Sequence, residues 1–334
     1  MGSTSRSGNA EDRMFFLVGR GRSGTTLLKS ILDAHPAVSV APEGLFVMNL
    51  WRSYRRGSWT PARVRRFAKH LFLERRMRRW SIDAEGLEKR LLEIGDPTFA
   101  RLCAEVYELH ADNTAKAPGR LLGDKNPHYT LFVRELRAVF PQARFIHVVR
   151  DYRDNVASYL NVPFDVKSPA ALAHRWVRYN TAVLDAAAEA PERFHRLRFE
   201  DLVRAPGPAL QALCDFLGVE MHPAMLDSRE AGNVQGLEWH RNVGKPIDAA
   251  LAGQWHTALT PGQVATLDRI CQPFAGTFGY EPVETPGATA SRGVAGAALG
   301  WGVTALERQV FKLPVPVQAL VINTYRRLTG NVIR

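Results

Sequence analysis

The sequence predicts an α/β fold with a central, mainly parallel β-sheet flanked by helices. A compact apolar run, residues 14–18, leads through a glycine-rich loop into a segment with helical spacing. Farther along, strand-like apolar runs alternate with helix-like segments, and polar residues follow the carboxyl ends of the strands. This alternation is typical of parallel sheets, whose ligands bind at the carboxyl edge of the strands.

The individual elements follow from hydrophobic periodicity, because a three-to-four-residue spacing indicates a helix and a short apolar run indicates a strand. Proline and glycine mark the ends: we expect the first helix to stop before Pro36 and a later one at Gly218. Strands are predicted at residues 37–41, 121–123, 144–149 and 194–199, and helices at 27–35, 51–80, 87–109 (interrupted near 95–97), 130–140, 155–160, 170–190 and 208–217.

Composition indicates a globular protein that attracts anions. The 334 residues are 46% hydrophobic and carry a net charge of +11, which favours nucleotides, nucleic acid or membrane surfaces without choosing among them. The three cysteines are widely spaced and form neither a disulfide framework nor a CxxC metal pair, so we interpret them as small buried residues. They favour a reducing, cytoplasmic setting, and no metal motif is present.

The ends of the chain differ in composition from its middle. Residues 1–12 are polar and lack the apolar core of a signal peptide, so we expect a disordered leader before a domain at 13–284. Residues 285–334 are rich first in Ala and Gly and then in apolar residues, which predicts a C-terminal extension. We expect the extension to pack on its own domain, to form a homodimer contact or to lie on a membrane surface.

The glycine-rich loop, GRGRSGTT at residues 19–26, has the spacing of a P-loop with one large departure. Thr25 stands where the P-loop lysine would reach the β- and γ-phosphates of a nucleoside triphosphate. The sequence therefore predicts a P-loop-like sheet whose ligand is shorter and less charged than a triphosphate. A basic residue stands instead earlier in the loop, at Arg22.

Three segments together resemble the sulfotransferase family that uses 3′-phosphoadenosine-5′-phosphosulfate (PAPS). They are FFLVGRGRSGTTLLKSILDAHP, VVRDYRDNVASYL and LRFEDLVRAPGPALQALCDFLGV. The resemblance covers residues 14–282 and is greatest to the protein-tyrosine and other Golgi-type enzymes and their bacterial relatives. It implies the sulfotransferase fold and an enzyme that moves a sulfuryl group from PAPS to an acceptor hydroxyl without a metal.

The donor carries a phosphosulfate at the 5′ position and a phosphate at the 3′ position, so it needs two anion sites. The resemblance implies that the 5′ site consists of Arg22, Ser23, Gly24, Thr25 and Thr26. It places Arg150 and Ser158 at the 3′-phosphate, where a guanidinium and a hydroxyl fit a phosphate. Lys245 resembles a late basic residue that closes over the nucleotide. Phe199 stands where several relatives carry tyrosine, so an aromatic contact is expected without a hydroxyl contact.

Transfer to a hydroxyl also needs a base, because even a tyrosine hydroxyl has a pKa of about 10. The resemblance to the tyrosyl-type enzymes implies that Glu43 is this base. Lys125 corresponds to a family lysine that would neutralise charge on the bridging oxygen. Asp124 and His128 are second choices for catalysis, and His147 is expected in the core.

A basic segment, residues 52–79, is crowded with arginine and interleaved with aromatic residues. We expect it either to face an acidic acceptor, such as an acidic peptide, an anionic glycan or a lipid headgroup, or to be a solvated helix face. We expect no nucleic acid, because no nucleic-acid motif accompanies the charge.

Two other functions remain open at this point: a P-loop small-molecule kinase and a non-catalytic nucleotide- or polyanion-binding protein. The absent loop lysine and the motif at Arg150 distinguish a sulfotransferase from a kinase. The acceptor is open among tyrosine, glycan, lipid and secondary-metabolite hydroxyls.

Overall fold

The structure is a computed structural model that describes residues 9–114, 116–226, 247–290 and 293–328. Within these ranges five strands form one parallel sheet in the order β2–β3–β1–β4–β5. They are β1 (Met14–Val18), β2 (Val38–Val40), β3 (Leu121–Lys125), β4 (Arg144–Val149) and β5 (Phe194–Arg198). The predicted α/β fold with a central parallel sheet is confirmed.

Helices cover both faces of this sheet. In the first part of the chain they are α1 (Thr25–Asp33), α2 (Phe46–Tyr54), α3 (Pro61–Leu71), α4 (Ala84–Leu92), α5 (Phe99–Asp112), α6 (Val133–Val139) and α7 (Tyr152–Leu160). In the second part they are α8 (Pro169–Glu189), α9 (Phe199–Arg204), α10 (Pro206–Leu217), α11 (Trp255–Ala258), α12 (Pro261–Ala275), α13 (Val294–Val310) and α14 (Val315–Leu328). As predicted, α10 ends at Gly218, whose φ of 71° is left-handed.

The sheet is buried on both sides, as its near-continuous apolar strands require. Successive side chains point to opposite faces, so Phe16 packs with Phe140 and Phe145 on the face covered by α2, α5 and α6. Phe15 and Leu17 point the other way and join the core under α1 and α10. The three cysteines, Cys103, Cys214 and Cys271, are buried as expected.

Parallel pairing brings the strand ends to a single edge of the sheet. Leu17 of β1 pairs with Lys125 of β3, and Val18 pairs with His147 of β4. Val149 in turn pairs with Arg198 of β5. The segments after these strands therefore start side by side, and they include the glycine loop and Arg150.

Two predicted helices are wrong in their extent. The segment 51–80 is divided into α2, α3 and a 3-10 turn (Arg75–Arg79), because Gly57 has a φ of 92° and Pro61 starts a new helix capped by Thr60. The segment 130–140 begins as a 3-10 turn (Pro127–Phe132), with α6 only from Val133. There the Thr130 side chain bonds to both the N–H and the carbonyl of Gly19, a tertiary contact that periodicity cannot reveal.

The C-terminal extension packs on the rest of the chain through its two helices. Gly296 and Gly300 let α13 approach α8 closely, since a Cβ at either position would lie within 3 Å of Ala170 or Ala171. The homodimer and membrane contacts, and the boundary at residue 284, stay predictions. Searching the described residues for a helix long and apolar enough to cross a membrane finds none.

The predicted leader, residues 1–12, overlaps the described residues only at 9–12. There Ala10–Arg13 form a 3-10 turn, and the Glu11 carboxylate lies 3.2 Å from the Arg101 guanidinium.

Candidate active site

The glycine loop has a backbone that few other sequences could adopt. Gly24, the residue before α1, has a φ of 91°, and a Cβ there would lie 2.2 Å from the Phe199 ring. Gly19 has a φ of 148°, and its Cβ would meet the Val148 carbonyl at 2.2 Å. Arg22 is also left-handed, with a φ of 65°, which is uncommon for a residue with a side chain. Such strain is characteristic of ligand-binding loops, and this loop leads into a helix N-terminus suited to anions.

Buried side chains from other elements hold the loop in place. The Asn155 amide of α7 donates to the Gly21 carbonyl at 2.9 Å and to the Ser23 hydroxyl at 3.1 Å. The buried Arg20 guanidinium lies over the Tyr159 ring and 3.4 Å from the Asp165 carboxylate. Ser23, predicted to bind the donor, therefore already has an intramolecular partner.

Arg22, Arg150 and Ser158 come together at one end of the site. The Arg22 Nε donates to the Ser158 hydroxyl at 3.0 Å, and Arg150 donates to the Arg22 carbonyl at 3.3 Å. The Arg150 guanidinium lies 4.5 Å above the centre of the Phe199 ring. The side chain of Arg22 thus lies beside Arg150 and Ser158, although the sequence assigned it to the 5′ loop. We call Arg22, Arg150, Ser158 and Phe199 the nucleotide end.

The partners of Arg150 at the nucleotide end are mostly neutral. Its second terminal nitrogen donates to the Leu251 carbonyl at 2.7 Å, and the Asp154 carboxylate lies 3.6 Å away. That carboxylate already accepts the backbone N–H groups of Gly253 and Trp255, at 2.7 and 2.8 Å. The Arg150 Nε is buried and has no hydrogen-bond partner among the described residues. The nucleotide end is thus rich in donors and able to take an anion.

Glu43, Lys125 and Thr26 come together at the other end of the site, next to the start of α1. The Glu43 carboxylate forms ion pairs with Lys125 and with Arg76 from the basic segment. The Lys125 ammonium also donates to the Thr26 hydroxyl at 3.2 Å. We call Glu43, Lys125, Arg76 and Thr26 the catalytic end. The predicted base and the predicted cation are thus adjacent to the glycine loop.

The two cations keep Glu43 ionised. Burial by itself raises the pKa of this carboxyl, but attraction to Lys125 and Arg76 outweighs it and holds the pKa well below its usual range. The carboxylate keeps about a quarter of its side-chain surface exposed, whereas the Lys125 side chain is almost completely buried. A substrate can therefore approach Glu43, while Lys125 is shielded from solvent.

Asp124 is buried next to the catalytic end and connects the elements around it. Its side chain is 1% exposed, accepts the Tyr107 hydroxyl and accepts the Asn126 amide at 2.9 Å. Asn126 also donates to the Gly44 carbonyl at 2.8 Å, which joins β3 to the residue after Glu43. Burial raises the Asp124 pKa to about 7. These contacts give Asp124 a positioning role.

The remaining sequence candidates have different surroundings. His128 is exposed on the turn after β3. His147 is 2% exposed and bonds to the Asn180 side chain at 2.8 Å, which confirms its expected place in the core. Lys245 lies outside the described residues. Sequence reasoning missed Asn155 and the specific contact of Arg76 with Glu43, because neither residue stands out from its neighbours in the sequence.

The fold agrees with comparisons to known proteins. A sequence model described as the sulfotransferase family matches residues 15–223, and the chain belongs to that family. It is an enzyme that transfers sulfate.

Among curated relatives, the chain is 24% identical to protein-tyrosine sulfotransferase 1 of Danio rerio over 290 residues, which are 83% of this chain and 75% of that protein. A sulfotransferase domain from the curacin biosynthetic pathway is a structural neighbour, with a TM-score of 0.57 and 26% identity over 80% of this chain and 98% of that domain. The sulfotransferase domain of the Synechococcus PCC 7002 olefin synthase has a TM-score of 0.54 and 25% identity over 80% of this chain and 95% of that domain.

Proposed function

We propose that this enzyme transfers the sulfuryl group of PAPS to an acceptor hydroxyl, with Glu43 as general base and Lys125 as the cation at the leaving phosphate. The observation that carries the proposal is the contact of Lys125 with both Glu43 and Thr26. The Lys125 side chain thereby connects the proposed base, Glu43, to the glycine loop at Thr26.

The residues of the nucleotide end fit the 3′-phosphate of such a donor. The buried Arg150 Nε has an unused N–H, and the Ser158 hydroxyl and the Arg22 guanidinium lie next to it. The Phe199 ring, which is 4% exposed, packs below the Arg150 guanidinium and helps to hold it in place. Thr25 and Thr26 at the start of α1, with the loop backbone, fit the 5′-phosphosulfate.

The bound donor would supply an electrophilic sulfur: the acceptor oxygen bonds to it as the bond from sulfur to the bridging phosphate oxygen breaks. Glu43 accepts the proton that the acceptor hydroxyl loses. Lys125 directs its ammonium toward the bridging oxygen and stabilises the charge that develops there. As Lys125 turns from Glu43 to that oxygen, the pKa of the carboxyl rises and the carboxylate becomes a stronger base.

The acceptor proposed here carries negative charge near its hydroxyl. Arg76 contacts Glu43 directly, and the exposed Arg79 interacts electrostatically with both. An acidic peptide, an anionic glycan or a lipid headgroup would be attracted to these cations. The relatives named above include a protein-tyrosine enzyme and a biosynthetic-pathway domain, and tyrosine and small-molecule hydroxyls are therefore both candidates.

The donor is tested by thermal shift with 3′-phosphoadenosine-5′-phosphate, AMP and ATP at equal concentrations. We expect a clear rise in Tm with the bisphosphate and little with AMP, because a ligand stabilises the protein in proportion to its affinity. Equal shifts with all three would contradict a 3′-phosphate site. A larger shift with ATP would favour a kinase, which the threonine at position 25 opposes.

The reaction is tested by incubating the enzyme with radiolabelled PAPS and a panel of tyrosine peptides, glycans, lipids and small alcohols. Transfer of label to one class identifies the acceptor. If the protein binds the bisphosphate but labels no acceptor and releases no sulfate, it is a nucleotide-binding protein without turnover.

We also propose that it acts in the cytoplasm.

A further inference from the structure

The C-terminal extension carries most of the exposed apolar surface in the described part of the chain. Of the thirteen large apolar side chains that are exposed there, ten lie between residues 294 and 328. From Val294 to Leu306 the sequence of α13 contains no charged residue, although that helix has a solvent-facing side. Soluble surface helices normally carry polar residues on that side. Exposed apolar surfaces of this kind mark sites where a protein contacts another protein or a membrane.

Helix α14 is apolar on both of its sides. Its inner side, including Val315 and Ala319, is buried against the rest of the protein. On its outer side Val317, Leu320 and Leu328 recur at helical spacing and are 43%, 67% and 83% exposed. Such a helix lies in an interface, with one side on protein and the other on a second apolar phase.

The surface next to α14 is strongly basic. The helix packs on α2, and its Asn323 amide donates to the Leu73 carbonyl of the basic segment at 3.3 Å. Arg327 is exposed on α14 itself. The basic segment adds further exposed cations, among them Arg52, Arg55, Arg56, Arg66, Arg75 and Arg78.

The apolar outer side of α14 and the basic surface next to it together favour one binding partner. Two copies of the chain meeting here through a two-fold axis would bring their basic segments together, and like charges across an interface are costly. An anionic lipid surface instead attracts the arginines and accepts the apolar side chains between its headgroups. We propose that the outer side of α14 and the adjoining basic segment dock the enzyme on an anionic lipid bilayer.

The test is co-sedimentation of the full chain with vesicles of phosphatidylcholine alone or with about one third phosphatidylglycerol, a composition that gives a negative surface. We expect strong binding to the anionic vesicles, weak binding to the neutral ones and release by high salt. Leu320→Glu with Leu328→Glu should lower binding at least about tenfold, because both side chains lose their insertion into the bilayer. Leu226→Glu with Val283→Glu, exposed elsewhere, makes the same change in charge and should have a much smaller effect.

Three outcomes would overturn the lipid surface. They are the absence of vesicle binding, equal binding to neutral vesicles, and equal losses in the two double variants. A dimer in sedimentation equilibrium that Leu320→Glu with Leu328→Glu dissociates, without vesicle binding by the original protein, would assign the surface to a second copy. Thermal shift with the bisphosphate is expected to be unchanged in both variants, which shows that they fold.

The inner side of α14 supports a second, independent inference. Arg326 is 8% exposed, and its guanidinium lies 3.1 Å from one oxygen of the Glu74 carboxylate, which is 3% exposed. The other oxygen of Glu74 accepts the Leu45 N–H at 2.8 Å and the Asn49 amide at 3.3 Å. Leu45 is two residues after Glu43. Removing Arg326 would leave the carboxylate that holds this backbone as a buried charge without its partner.

From these contacts we infer that Arg326 is a positioning residue for Glu43, acting through Glu74. This rests on the proposed role of Glu43 as base. It makes the C-terminal extension part of the catalytic apparatus, although it lies beyond the residues 15–223 that match the family.

Arg326→Gln should lower kcat at least about tenfold, since small displacements of a catalytic group are costly, while the Kd for the bisphosphate stays within about twofold. Arg326→Lys should recover part of the loss, because it restores the charge. Arg134→Gln, at an exposed arginine of α6 that pairs with Glu189 on the surface, is the matched control with normal turnover.

A normal kcat in Arg326→Gln, with turnover lost in Glu43→Gln, would overturn the positioning role alone. Normal turnover in Glu43→Gln would instead overturn the proposed base. If Arg326→Gln does not fold, Arg326→Lys decides: the inference predicts a reduced kcat with an unchanged Kd, and a KM change without a kcat change contradicts it.

Discussion

The two ends of the active site use positive charge in different ways. At the catalytic end the Glu43 carboxylate lies between Lys125 and Arg76, so both cations have a carboxylate partner within the protein. At the nucleotide end, Arg22 and Arg150 bond to a hydroxyl and to backbone carbonyls, and Arg150 retains an unused N–H. A phosphate would gain most at the second end, whereas the first end keeps a carboxylate ionised. Under the proposed function, this contrast separates donor binding from proton transfer.

The largest expected effect comes from removing the base at the catalytic end. Glu43→Gln should lower kcat by about 10²- to 10⁴-fold, the usual contribution of a general base, because the amide cannot accept the proton. The Kd for the bisphosphate, measured by calorimetry, should stay nearly unchanged. Glu88→Gln is the matched control, since Glu88 pairs with Arg65 on the surface. A normal kcat in Glu43→Gln would show that the catalytic end does not supply a general base.

A smaller effect, with the opposite pattern, is expected at the nucleotide end. Arg150→Ala should weaken binding of the bisphosphate about tenfold to a hundredfold, the value of hydrogen bonds to a charged group, with little loss of affinity for AMP. The measurement is a calorimetric titration of both ligands. Arg193→Ala, which removes a surface bond to Gln142, serves as control. Equal losses for both ligands would mean that Arg150 does not contact the 3′-phosphate.

An effect of another kind, on stability instead of turnover or binding, is a pH dependence from Asp124. Its folded-state pKa of about 7 exceeds the ordinary 3.8, so the folded protein binds this proton more tightly than the unfolded chain does. Asp124 should therefore contribute a fall in the free energy of unfolding as pH rises between about 4 and 7, by at most about 1.4 kcal/mol per pH unit. Buried histidines such as His147, whose pKa burial lowers to about 4, contribute in the opposite direction.

Asp124→Asn should remove this contribution, so that the free energy of unfolding falls less or rises more with pH than in the original protein, as measured by urea unfolding at several pH values. Asp215→Asn, an exposed carboxylate on α10, should keep it. An unchanged slope in Asp124→Asn would assign the pH dependence to another group.

Local patterns were sufficient for the first strand, the glycine loop and the helix after it. The apolar run at residues 14–18 and the glycines at 19, 21 and 24 specify a strand and a tight turn almost independently of the rest of the chain. Helix limits failed where a tertiary contact decided them, as at Thr130, which bonds to Gly19 instead of starting a helix. The sequence also could not show that the side chain of Arg22 turns to Ser158, 136 residues away.

By itself, the sequence determined the fold class, the family and the position of the glycine loop, because these depend on periodicity and on short motifs. The tertiary structure alone decided that Arg76 contacts Glu43, that Asn155 holds the loop and that Arg326 reaches Glu74. Each of these contacts joins residues far apart in the chain. Their pairing depends on how helices pack around the sheet, and no local pattern records it.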